Sequence, residues 1–216
     1  MIYHTLIVIT KTESGDIMSL TNAIALMYEP NEEWPNINEK KQSISHIYFT
    51  FLIFFAAIPP VSAFIGSTYV GWQVGSGEVH TLTEMSALYL SVSAYIAILV
   101  AVFVLSLFIR WMAITYGANP TLAQCVNLIA YSFTPLFLAG FLGAFPILWL
   151  DMLISLVAIG MSIRLLFKGV PLLMNISEEK AFLFSSSILT VSMVSLVGML
   201  AITVIFWGSG MAPVFQ

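Results

Sequence analysis

Two ionisable side chains, Asp151 and Arg164, stand inside apolar runs, where a charge in hydrocarbon costs several kcal/mol. Asp151 follows Pro146 by five residues, about 7.5 Å along a helix, near one end of its run. A carboxylate there is stabilised by the positive end of the helix dipole. Two readings are open for Asp151: an interfacial structural group, or an ion or proton site. Arg164 lies at the opposite end of the same run and can snorkel. The two charges are thirteen residues apart, about 20 Å along the helix, so they cannot pair within it.

Helix breakers mark a second group of candidates. Pro59 and Pro60 fall in the middle of one apolar run and Pro135 in the middle of another, beside Tyr131, Ser132 and Thr134. Proline removes one backbone hydrogen bond and crowds the preceding turn. In lipid the freed carbonyls need a new donor, and Ser62, Ser67, Ser132 and Thr134 are the hydroxyls nearby. The prolines either kink two helices or break them to line a substrate path. Motifs for metalloprotease, phosphate-loop, dinucleotide or nucleophile-elbow chemistry are absent. Gly75-Ser76-Gly77 lacks the rest of a dinucleotide fingerprint and reads as a flexible loop. Cys125 is the single cysteine, and His4, His46 and His80 are widely separated. The sequence predicts no catalytic, cofactor-binding or metal-ligating residues, and no enzyme.

The elements holding these residues follow from composition. The chain has 216 residues, 59% hydrophobic and 8% charged, with mean hydropathy +0.97. A soluble domain carries about 25% charged residues, so this chain belongs to the membrane class. Five runs, about 44–70, 85–109, 122–141, 146–166 and 188–207, each reach the roughly 20 apolar residues that a helix needs to cross a bilayer. They lack the alternation of barrel strands. The fold class is therefore all-α, a polytopic bundle of five transmembrane helices. All seven basic residues fall in alternate connections: Lys11, Lys40 and Lys41, then Arg110, then Arg164, Lys168 and Lys180. The excess of Lys and Arg on cytoplasmic sides predicts a cytoplasmic N-terminus and a periplasmic C-terminus. Trp72, Trp149 and Trp207 then mark the outer interface, and Trp111 and Tyr116 the inner one.

Three regions result: a cytoplasmic arm over 1–43, the membrane domain over 44–207, and an outer tail over 208–216. In the arm, Ile17, Leu20, Ile24 and Met27 recur at helical spacing before Glu29 and Pro30. This reads as a short amphipathic helix on the inner leaflet or a partner, or as a loosely ordered arm. The arm's acidic excess argues against nucleic acid. Residues 2–9 have no basic region before them, so no cleavable signal is read, and Met18 is an alternative start. Thr81 with Glu84 forms a capping-box pattern for the second span. Residues 142–145 leave only a tight hairpin, whereas 168–186 reads as a sizeable inner loop. Small residues at Ala139, Gly140, Gly143 and Ala144, and at Ser187, Thr190, Gly198 and Ala201, mark packing faces within the monomer or between copies.

Several phrases carry a family likeness. They are Ala130-Tyr131-Ser132-Phe133-Thr134-Pro135-Leu136, the stretch Gly169-Val170-Pro171-Leu172-Leu173-Met174-Asn175-Ile176-Ser177, the phrase Phe184-Ser185-Ser186-Ser187, and Ile58-Pro59-Pro60-Val61-Ser62-Ala63-Phe64-Ile65-Gly66. Together they resemble the YIP family, the Ypt/Rab-interacting five-span membrane proteins, in a bacterial inner-membrane branch. The acidic-Leu-Tyr-Gly-Pro arm motif of its eukaryotic members is missing; Tyr28-Glu29-Pro30 stands nearest to it. The resemblance implies a multi-pass inner-membrane protein that acts by protein or lipid interaction and membrane organisation. Its expected partners are the bilayer, a second copy or another membrane protein. The alternative is a small transporter, channel or lipid-moving protein with a path beside the kinked first and third spans.

Overall fold

A computed structural model describes residues 23–73 and 77–215. Ile17, Leu20, His4, Lys11, Gly75 and Ser76 lie outside the described residues. Helix α1 covers 23–28 and α2 Pro30–Glu39. The spans are α3 (Ile44–Val70), α4 (Glu84–Tyr116), α5 and α6 (Leu122–Ser132 and Thr134–Ala139, with a 3-10 turn to Ala144), α7 (Leu148–Met174) and α8 (Glu178–Phe206). Five helices are thus long and apolar enough to cross a bilayer.

The third span is the centre of the bundle. It packs against the first, second and fourth, and 61% of its apolar window is buried, against 6% for the fifth. This order has a physical reason. Asn127, Ser132 and Thr134 make the third span the one least suited to lipid, and neighbouring helices shield them. The C-terminal half of α8, from Met193 onward, is instead exposed. Two tyrosines tie the first span to the second. Tyr48 Oη donates to the Leu99 carbonyl at 2.9 Å and Tyr95 Oη to the Ile53 carbonyl at 3.1 Å. Changing both to phenylalanine should lower stability by about 1–2 kcal/mol in total, read as a lower melting temperature in detergent.

The arm differs from both sequence readings. Its buried residues are Ala23, Leu26, Pro30, Trp34 and Ile37, a helical stripe one position away from the expected one, while Ile24 is exposed. Pro30 does not end the arm's helical region but opens α2, because proline's fixed φ suits the first helical turn. Its α2 part lies on α7, and Ala23, Leu26, Trp34 and Ile37 join the core of the protein's own bundle.

Three connections also differ. The expected loop over 168–186 is helix on both sides, with only 175–177 between α7 and α8. Apolar residues 170 and 172–174 continue α7 through Pro171, and Asn175 ends it at φ 51°, a left-handed conformation that asparagine tolerates. The second span begins after Thr83, so Thr81 and Glu84 form no capping box; the Thr83 hydroxyl instead bonds Ser86 Oγ at 3.0 Å. The box occurs at Thr121 and Gln124. Between the first and second spans, Gly71 turns at φ 76°, where a side chain would strike Val79 and His80. The C-terminal tail folds back there: Thr83 donates to the Val214 carbonyl at 3.0 Å, and the rings of Trp72 and Phe215 meet edge-on.

Candidate functional site

The described residues contain a cleft of about 600 Å³ at the arm end of the bundle. Ile37, Asn38 and Glu39 of α2 form one wall; Lys41, Gln42 and Ser43 of the link to α3 form the next. Thr121, Ala123, Gln124 and Asn127 of α5, with Leu173 of α7, complete it.

Each wall is placed by local chemistry. Trp34 is fully buried, and its indole N–H donates to the Leu165 carbonyl at 3.2 Å. Its ring fills the space that a side chain at Gly169 would occupy, 2.7 Å from an added Cβ. That contact fixes α2 across α7. Lys41 turns the chain at φ 43°, and Ser43 then caps α3 by accepting from the His46 N–H. On the facing wall, Thr121 Oγ1 accepts from the Gln124 N–H at 3.2 Å while Gln124 Oε1 accepts from the Thr121 N–H at 2.8 Å. The Gln124 amide then reaches Asn38 Oδ1 at 2.9 Å, joining arm to bundle.

The floor is Asn127. It is 4% exposed, and its carboxamide oxygen has no hydrogen-bond partner among the described residues. A buried polar atom left unpaired costs about 1–3 kcal/mol, which makes this the cleft's chemically demanding point. Glu39 and Lys41 stand exposed on the rim with opposite charges.

The residues expected from sequence fall elsewhere or one layer behind. Tyr131 is fully buried, stacked near Phe51 at 4.7 Å, and its hydroxyl donates to Gln42 Oε1 at 3.4 Å, so it supports the cleft from below. Pro135 stands in the first turn of α6, after a one-residue break at Phe133. The hydroxyls of Ser132 and Thr134 do not take up freed carbonyls: both are buried without a partner among the described residues, and Ser67 bonds the Phe64 carbonyl instead. Pro59 packs against the third span. Gly140 lies against it so closely that an added Cβ would come 2.8 Å from the Pro59 Cα. Pro60 is buried in the same helix. The small residues of the third span therefore pack within the monomer. On α8, Ser187 bonds Tyr116, but Gly198 has nothing within 4 Å. Asp151 stands in the first turn of α7 with one carboxylate oxygen buried and unpartnered. Arg164 reaches the arm, its Nη1 3.5 Å from the Met27 carbonyl at the end of α1.

Trp34, Gln124 and Asn127 were missed by sequence reasoning. The signals existed: a tryptophan in a polar arm, a Thr-x-x-Gln box, and an asparagine in an apolar run.

A family model described as the Yip1 domain matches residues 24–200. The chain belongs to the Yip1 domain family. The match takes in α2 as well as the five spans, so the Yip1 domain includes the arm helix that bounds the cleft. Inner membrane protein YohC of Escherichia coli (strain K12) is 38% identical over 191 residues, covering 88% of this chain and 98% of that protein. The protein of the same name from Escherichia coli O6:H1 matches equally. No solved structure matches. This Yip1 domain protein is accordingly an integral protein of the bacterial inner membrane, and no enzyme family is indicated.

Proposed function

We propose that this Yip1 domain protein is a non-enzymatic interaction protein whose contact surface is the arm end of the bundle, and that this end faces the cytoplasm. The observation that carries the reading is the Trp34–Gly169 lock, which holds a polar helix rigidly across the ends of two spans. A surface kept in one arrangement before binding loses less entropy on binding. The face of α2 with Asn31, Glu32, Pro35 and Asn36 is exposed and accessible to a partner. The one-sided basic residues support the cytoplasmic orientation. The close Gly140–Pro59 packing disfavours the transport alternative, since it occupies the place of the expected path.

Photo-crosslinking from position 32 or 36 in intact cells tests this. We expect discrete adducts with a membrane protein or a second copy, which are lost when Trp34→Ala releases α2 from the bundle. Adducts unchanged in that variant would show that the locked arrangement of the arm does not make the contact surface. A cysteine at Glu32 should react with a membrane-impermeant reagent only after the inner membrane is opened, and one at Glu78 before; the reverse order overturns the orientation.

A further inference from the structure

We propose that the cleft beneath α2 binds a phosphate that carries a neighbouring ammonium, the chemistry of a phosphoethanolamine group. The assignment rests on the reading above that this end of the protein is its interaction surface. It begins from the two helix ends that meet there. Ser43 caps α3, a helix of 27 residues, and Thr121 caps the third span; both line the cleft. Each helix start carries about half a positive charge and backbone N–H groups without an intrahelical acceptor. Ala123 occupies such a first-turn position on the cleft wall. Two converging helix starts with the Lys41 ammonium on the rim make a site for an anion.

The rest of the lining is unsuited to a bare anion. Glu39 stands two residues from Lys41 on the same rim and would repel it. Asn127 lines the floor and is almost wholly buried, and its carboxamide oxygen lacks a hydrogen-bond partner among the described residues. A ligand satisfying both sets must pair its negative group with donors of its own. A phosphodiester set against the helix starts and Lys41, with a primary ammonium on the side of Glu39 and Asn127, complements the charges of the rim and the acceptor on the floor. The depth suits a lipid as its carrier: Asn127 lies five residues into the span from Leu122, about 7.5 Å, near the boundary of headgroups and acyl chains. The volume, about 600 Å³, falls in the ordinary range for small-ligand sites.

The test uses the full-length protein in detergent and in nanodiscs of phosphatidylethanolamine, phosphatidylcholine or phosphatidylglycerol. Retained lipid is read by native mass spectrometry, and stabilisation by thermal unfolding. Phosphatidylcholine has the phosphate but no N–H, so it should be retained about tenfold less than phosphatidylethanolamine, as expected for one lost charge-assisted hydrogen bond. Lys41→Gly should cut retention similarly while easing the left-handed backbone, so folding is preserved. Asn127→Leu should remove the preference between the two headgroups. Free phosphoethanolamine added to the detergent-purified protein distinguishes the source: stabilisation by it equal to that by the lipid supports a soluble ligand of the same chemistry. No headgroup preference and no effect of free phosphoethanolamine would overturn the proposal. If position 32 still crosslinked to a protein partner in that case, the ligand assignment would fall and the contact surface would stand.

Discussion

Trp34→Ala should release α2 from the bundle and lower stability by about 3–5 kcal/mol, the usual cost of truncating a buried aromatic. The indole is fully buried and supplies both packing and a hydrogen bond to the Leu165 carbonyl. Its loss leaves a void over Gly169 and Leu128, whose atoms line the ring, and frees the wall that Asn38 shares with Gln124. The expected readouts are a lower melting temperature in detergent and new protease sensitivity within 29–43. Gly169→Leu should produce the same release from the other side, since the ring and an added side chain cannot share one space. Resistance of 29–43 to proteolysis in both variants would mean that the arm is held by something other than this lock.

Gly66→Ala should be the most damaging single methyl group in the protein. A Cβ there would lie 1.9 Å from the Gly143 carbonyl oxygen and 3.2 Å from the Pro146 ring. The obstacle is backbone on the opposing span, so no rotamer change relieves it; the first and third spans must separate. We expect a loss of about 3 kcal/mol, the upper part of the range for overpacking a core. Gly160 and Gly198 have nothing within 4 Å of an added Cβ, and alanine at either should be neutral or stabilise slightly through helix propensity. Comparison of the three variants by thermal unfolding separates interhelical contact from a general need for glycine. Equal effects at all three positions would refute the contact argument.

Much of this architecture was legible in the sequence, and the parts that were not share a cause. The five runs were readable because each is long and nearly uncharged. The resemblance carried by Tyr131-Ser132-Phe133-Thr134-Pro135 led to the correct family, whose domain matches over 24–200. The loop expected over 168–186 was misread because polarity marks where lipid ends, not where a helix does; α7 runs on to Met174 beyond the apolar run. The arm stripe was misplaced by one position because Ile24 looks as apolar as Leu26, and only a facing surface decides which is covered. The candidate site was hardly legible. Pro59, Pro60, Pro135 and Asp151 stood out because they break rules within their own segments. The cleft is formed instead by Asn38, Lys41, Thr121 and Asn127, ordinary residues in segments far apart along the chain.

By itself, the sequence determined the number of spans and their helical state. It could do so because hydrocarbon offers no partner to a backbone N–H or C=O, which forces each long apolar segment into a helix independently of the others. The tertiary structure alone decided that the third span is central, that Gly66 meets Gly143, that Gly140 meets Pro59, and that Trp34 closes over Gly169. Lipid is as apolar as the side chains it surrounds, so hydrophobicity does not choose between helix faces; the shape of small residues and the pairing of a few polar groups do.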